Sequence, residues 1–122
     1  MRKKMILTGG VILLLLGIFH ASDWFKWGRE LSKLHPEMNA LVQMLNLGIV
    51  TLLVGLGVIF ILFRNEVATS RSGRALLFLV ALFIAAQIVA AGILPTDGNL
   101  LITGGFTICA LVFLIPALMK EK

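Results

Sequence analysis

The feature that most constrains this chain is a set of four long stretches without a charged side chain. None of them contains Asp, Glu, Lys or Arg, and they cover residues 5–21, 41–63, 75–94 and 100–119. Each stretch is close to the roughly 20 residues that an α-helix needs to cross the hydrocarbon of a bilayer. We therefore predict an all-α, polytopic membrane protein, in which a bundle of four transmembrane helices forms a single domain over residues 1–122.

The composition supports a membrane protein rather than a soluble one. Apolar residues make up 59% of the chain and charged residues 14%, whereas an ordinary soluble domain has roughly 45–50% and about 25%. The formal net charge of +5 does not indicate nucleic acid as a partner. The basic residues lie at the ends of the apolar stretches and form no patch interleaved with aromatic residues.

The first apolar stretch has the outline of a secretory signal peptide, because three basic residues precede it. Signal-peptide cleavage requires small residues, and the segment Phe19-His20-Ala21 begins with a bulky side chain. We therefore expect the stretch to be retained as the first helix.

The basic residues also predict how the spans are threaded. One side of the membrane would receive most of them, namely Arg2, Lys3, Lys4, Arg64, Arg71, Arg74, Lys120 and Lys122. On the other side, the basic residues of the Ser22–Ala40 loop are balanced by acids, and the connection over residues 95–99 carries only Asp97. Because Lys and Arg concentrate in cytoplasmic loops, we expect both termini in the cytoplasm of a bacterial inner membrane.

Large apolar residues in the first outer loop recur at spacings of three and four. They are Trp24, Trp27, Leu31, Leu34 and Met38. This pattern predicts a short interfacial amphipathic helix over residues 23–34, with Ser22 as its cap and the two tryptophans as interfacial anchors. The next helix should begin at His35-Pro36-Glu37, with Pro36 at its first position. The functional alternative, a lid over a site between the spans, is less common than a membrane anchor.

Small residues within the spans recur at helical spacings and predict close packing of helices. They are Gly10, Gly17, Gly48, Thr51, Gly55, Ala81 and Ala85. Small side chains let helix backbones approach closely in a membrane, where packing holds helices together. Packing within one chain, a homo-oligomer and a complex with other membrane subunits would all use the same residues.

Uncharged polar residues inside or beside the spans are the candidates for a site. They are His20, Asn39, Gln43, Asn46, Gln87, Thr103 and Thr107. If their helix faces converge, they form a polar pocket that opens outward. The alternative, which we favour, is that they join helices through hydrogen bonds of about 0.6 kcal/mol each.

The residue types that the spans lack argue against most catalytic chemistry. No acidic or basic residue lies inside a span, so ion-coupled transport has no titratable carrier, and the glutamate of the small multidrug transporters is missing from the first helix. A single cysteine, Cys109, excludes dithiol chemistry, and His20 and His35 lack the further ligands of a recognisable metal or haem site. We expect no enzyme activity, no cofactor and no bound metal.

Several short features together resemble the small DoxX-like bacterial membrane proteins. They are the polar outer loop after the first helix, the amide-bearing second helix, the Ser72-Gly73-Arg74 entry to the third helix and the Asp97-Gly98 turn before the fourth. The resemblance covers most of the chain. It implies a four-helix membrane fold and association with partner proteins, and it transfers no catalytic residue.

Two functions are consistent with these observations. The first is a structural or accessory subunit of a membrane protein complex, which associates through its small-residue helix faces. The alternative is a binding protein or carrier for a hydrophobic small molecule, such as a quinone or lipid, held in the outward-facing polar pocket. Mass analysis of the proteins and small molecules that co-purify in mild detergent would separate the two.

Overall fold

The computed structural model of the chain describes residues 1–93 and 99–119, and for residues 23–27, 90–92 and 99–103 it describes the backbone alone. This part of the chain is almost wholly helical and contains no strand. Its helices are α1 (Arg2–Leu31), α2 (Pro36–Leu62), α3 (Arg64–Thr69), α4 (Arg71–Ile93) and α5 (Asn99–Leu118).

Three of these helices contain a segment that is long and apolar enough to cross a membrane. The segments are Arg2–Ser22 in α1, the whole of α2 and Arg71–Val89 in α4. The prediction of an all-α protein with membrane-spanning helices is confirmed to this extent. In α5 the shorter segment Gly104–Leu118 is apolar, and the fourth span over residues 100–119 stays a prediction.

Helix α1 continues without a break through the predicted boundary at Ser22. The Ser22 hydroxyl donates a hydrogen bond to the Phe19 carbonyl at 2.7 Å, so it bonds back into α1 and does not cap a new helix. The separate amphipathic helix over residues 23–34 is therefore not confirmed, and the side chains of Trp24 and Trp27 lie outside the described residues. The start of α2 at Pro36 is confirmed.

Residues Gly10–Ile59 form one compact unit, a hairpin of α1 and α2 joined by a short turn. A Cβ atom built on Gly57 would lie 2.9 Å from the Gly10 carbonyl oxygen and 2.8 Å from Cγ of Leu14. One built on Gly17 would lie 2.7 Å from Cγ2 of Val54. The two backbones approach this closely because glycine has no side chain to keep them apart.

The second unit consists of residues 1–9 and the chain from Phe60 onward. Its core contains the rings of Phe60 and Phe113, which are fully buried and have centroids 5.6 Å apart. The Phe113 ring also packs against the start of α1, where a Cβ on Gly9 would lie 2.6 Å from Cε1 of the ring. This one ring therefore holds the start of α1 and the end of α2 at the same level of α5.

The stretch from Arg64 to Arg74, which lies between the second and third predicted spans, folds into α3 and a tight corner before α4. Val67 and Ala68 of α3 are buried. The Ser70 N–H closes α3 on the Glu66 carbonyl at 2.9 Å, and the Ser70 hydroxyl accepts a hydrogen bond from the Gly73 N–H at 2.9 Å. Ser70 thus ends one helix and caps the next, while Gly73 lies directly on the backbone of Val67.

Candidate functional site

The polar stripe at the start of α2 forms a hydrogen bond within its own helix. Asn39 and Gln43 are one turn apart and partly buried, and the Gln43 amide donates from Nε2 to Oδ1 of Asn39 at 2.8 Å. This bond uses one donor and one acceptor of the pair. The remaining amide groups can still bond to a neighbouring helix or a ligand.

Asn46 and His20 belong to the same helix hairpin and are both partly buried. The contact of Gly17 with Val54 sets the antiparallel register of α1 and α2. Continuing this register by three residues brings His20 close to the level of Thr51, about 7.5 Å along the helix axis from Asn46. The fold thus places these two candidates at neighbouring levels of the hairpin.

The other predicted polar residues lie on α4 and α5, in the second unit. Gln87 is exposed on α4 and Thr107 is exposed on α5. The side chain of Thr103 lies outside the described residues. These residues therefore belong to a different unit from the stripe on α2.

The described polar side chains are spread over exposed and partly buried positions. No polar or charged residue among them is buried as a whole. Within the same part of the chain, no three His, Cys, Asp or Glu residues lie close enough to hold a metal ion. What this arrangement can do is donate and accept hydrogen bonds and pack against other helices.

The predicted small residues on α2 form a face that is open within the described part of the unit Gly10–Ile59. A Cβ atom built on Gly48 or Gly55 meets no atom of the described residues within 4 Å. Thr51 lies between them and is exposed, and its hydroxyl donates to the Leu47 carbonyl at 2.8 Å. We call Gly48, Thr51 and Gly55 the outer face of α2.

The outer face points away from the contact with α1. Gly55 and Gly57 are two residues apart, which is about 160° around the helix axis. Gly57 packs against Leu14, so Gly55 lies on the far side of α2. Leu53 and Gly57, both buried, mark the opposite side, which we call the inner face.

The remaining small residues lie at or near internal contacts. Gly10 and Gly17 pack in the α1–α2 hairpin, and Ala81 is buried on α4, with Ala85 beside it partly buried. Sequence reasoning missed Gly9, Gly57 and Gly73, although each is closely approached by another part of its unit. A signal for Gly57 was available, because Leu53, Gly57 and Phe60 recur at spacings of four and three and define one face.

Comparison with known proteins adds no functional assignment. No family model matches the chain, and neither a curated protein nor a solved structure matches it significantly. The resemblance to DoxX-like proteins therefore stays a prediction.

Proposed function

We propose that this protein is a structural or accessory subunit of a membrane protein complex, and that a helix of another subunit packs on the outer face of α2. The observation that carries the proposal is the open alignment of Gly48, Thr51 and Gly55. Small residues at such spacing let a second helix approach closely, and packing at such contacts drives association of helices in lipid.

The extent to which α2 is covered supports this choice of helix. Of the most apolar segment of α2, 17% is buried within the chain, whereas the corresponding segments of α1 and α4 are each 28% buried. Among these three apolar segments, the one in α2 is therefore the least buried by the described part of the chain.

The shape of the outer face also supports a helix as the partner. Met44, Leu47 and Leu52 stand around Gly48 and Thr51 and form a shallow groove. Large side chains beside small ones give the ridge and groove that interlock when two helices pack. The Thr51 hydroxyl already donates a hydrogen bond to the Leu47 carbonyl, so the groove presents no unsatisfied donor from Thr51 to an apolar partner.

Co-purification in mild detergent tests the proposal. We expect the chain to purify with a stoichiometric protein partner, and Gly55→Leu to lose that partner while the chain itself stays folded. Gly104→Leu on α5 is the matched control, because a Cβ at Gly104 also meets open space. A monomeric wild-type protein, or equal loss of the partner in both variants, would contradict the proposal.

We further propose that α5 is a fourth span and that both termini are cytoplasmic. The concentration of Lys and Arg at the start of α1 and around α3 supports this orientation. With four spans the two termini share one side of the membrane, whereas three spans would place them on opposite sides. A reporter that works only in the cytoplasm should therefore be active at both termini and inactive in the turn at Leu34.

A further inference from the structure

Five basic side chains lie at one level of the unit that contains Phe60 and Phe113. They are Lys3, Lys4, Arg64, Arg71 and Arg74, and we call them the cationic surface. Gly9 and Phe60 both contact the Phe113 ring. At 1.5 Å of rise per residue, Lys3 and Lys4 lie roughly 7–9 Å beyond that ring along α1. Arg64 follows the end of α2 at Leu62, on the same side of the ring.

The α3–α4 corner brings the other two arginines to the same region. Arg64 begins α3, and Gly73 of α4 lies on the backbone of Val67 in α3. The cap that Ser70 makes on Gly73 fixes the first turn of α4, which carries Arg71 and Arg74. The five cations thus project from three helix starts that are packed into one unit.

The charge of this surface is not balanced within the described part of the chain. Glu66 is the one acidic residue described in this unit, and none of the five cations has an ion-pair partner among the described residues. At the α1–α2 turn, by contrast, Lys33 pairs with Glu30 at 2.8 Å. The α1–α2 turn therefore contains an internal ion pair, whereas the cations of the cationic surface have none among the described residues.

The helix dipoles increase this imbalance. Helices α1 and α4 both begin at the cationic surface, and neither has an acidic residue in its first turn. Cations near the positive end of a helix dipole are unfavourable, and an anion there is favourable. At the α1–α2 turn the charges follow the favourable pattern, with Arg29 in the last turn of α1 and Glu37 in the first turn of α2.

We propose that the cationic surface binds the headgroups of anionic phospholipids in the leaflet that it faces. The charge complementarity commits the surface to this partner, since it borders apolar helices, and Glu66 is the one described acid of the unit against five cations that form no ion pair among the described residues. The proposal goes beyond the subunit function and does not depend on it. The rule that Lys and Arg concentrate in cytoplasmic loops would also place cations at this end of the helices. That rule alone does not require the inserted protein to bind anionic lipids in preference to neutral ones.

Lipid selectivity of the full chain in phosphatidylcholine vesicles tests the proposal. The measurement is the association of spin-labelled phosphatidylglycerol relative to spin-labelled phosphatidylcholine, by electron spin resonance. We expect the wild type to prefer phosphatidylglycerol and the triple variant Arg64→Gln, Arg71→Gln, Arg74→Gln to lower that preference at least about fivefold. The matched control, Arg29→Gln with Lys33→Gln, should change it less than about twofold.

Salt provides a second measurement on the unmodified protein. Raising NaCl to about 1 M shortens the screening length to about 3 Å and should remove most of the preference. The proposal is overturned if the wild type associates equally with both lipids, or if its preference survives high salt. It is also overturned if the control variant loses as much preference as the triple variant. Should the triple variant fail to fold, the salt measurement on the wild type decides.

Discussion

The two faces of α2 carry the same kinds of residue and have different surroundings. On the inner face, a Cβ at Gly57 would lie 2.9 Å from the backbone of α1, whereas on the outer face a Cβ at Gly55 meets none of the described atoms within 4 Å. Both faces are apolar, because lipid tails favour the same side chains as a protein core. The comparison shows that in a membrane helix the available space, and not the hydropathy, distinguishes an internal contact from a surface that is free for a partner.

The largest loss of stability should come from truncating Phe60, whose ring is buried and follows Leu53 and Gly57 on the same side of α2. Phe60 is fully buried and Phe63 is 52% exposed. Phe60→Ala removes the contact with Phe113 and should lower the free energy of unfolding by about 3 kcal/mol, while Phe63→Ala should change it by less than about 0.5 kcal/mol. Unfolding in mild detergent measures both, and similar losses would show that the contact with Phe113 does not distinguish the buried ring from the exposed one.

A matched pair of glycines gives the most direct test of the comparison on α2 itself. Gly57→Leu forces a side chain into Leu14 and the backbone of Gly10, so we expect a loss of about 1–3 kcal/mol. Gly55→Leu places the same side chain in open space and should leave the stability of the isolated chain unchanged. Thermal unfolding of the two purified variants checks this, and a destabilised Gly55→Leu chain would remove the distinction between the faces.

The smallest effect concerns the polar residues of the hairpin. Asn46→Leu keeps the approximate size and removes a donor and an acceptor. If Asn46 joins helices, as we expect, the free energy of unfolding falls by about 1 kcal/mol and any complex still forms. Normal stability with loss of a co-purified small molecule would instead favour the carrier function. No change in either property would contradict both interpretations of the stripe.

Much of the fold could be predicted from the sequence, because the charges mark where apolar helices end. The predicted spans over 41–63 and 75–94 overlap α2 and α4 along almost their whole lengths. The start of α2 was also predictable, since proline is favoured at the first position of a helix.

Other features could not be predicted because the same local sequence is compatible with two structures. Ser22 followed by Asp23 is typical of a helix cap, but the Ser22 hydroxyl equally well bonds to a carbonyl of its own helix, as it does to Phe19. In the same way, Gly55 and Gly57 have identical side chains in a uniformly apolar helix. Only the register with α1 decides which of them is enclosed, and that register depends on contacts distant in the sequence.

Photo-crosslinking in intact membranes tests the central claim most directly. A diazirine-bearing amino acid placed at Thr51 or Met44 probes the groove of α2, and one at Leu82 probes an exposed apolar position on α4. We expect a discrete protein adduct from Thr51 and Met44, and lipid adducts alone from Leu82. Lipid adducts alone from Thr51 and Met44, or the same protein adduct from all three positions, would contradict the claim that the outer face of α2 binds another membrane helix.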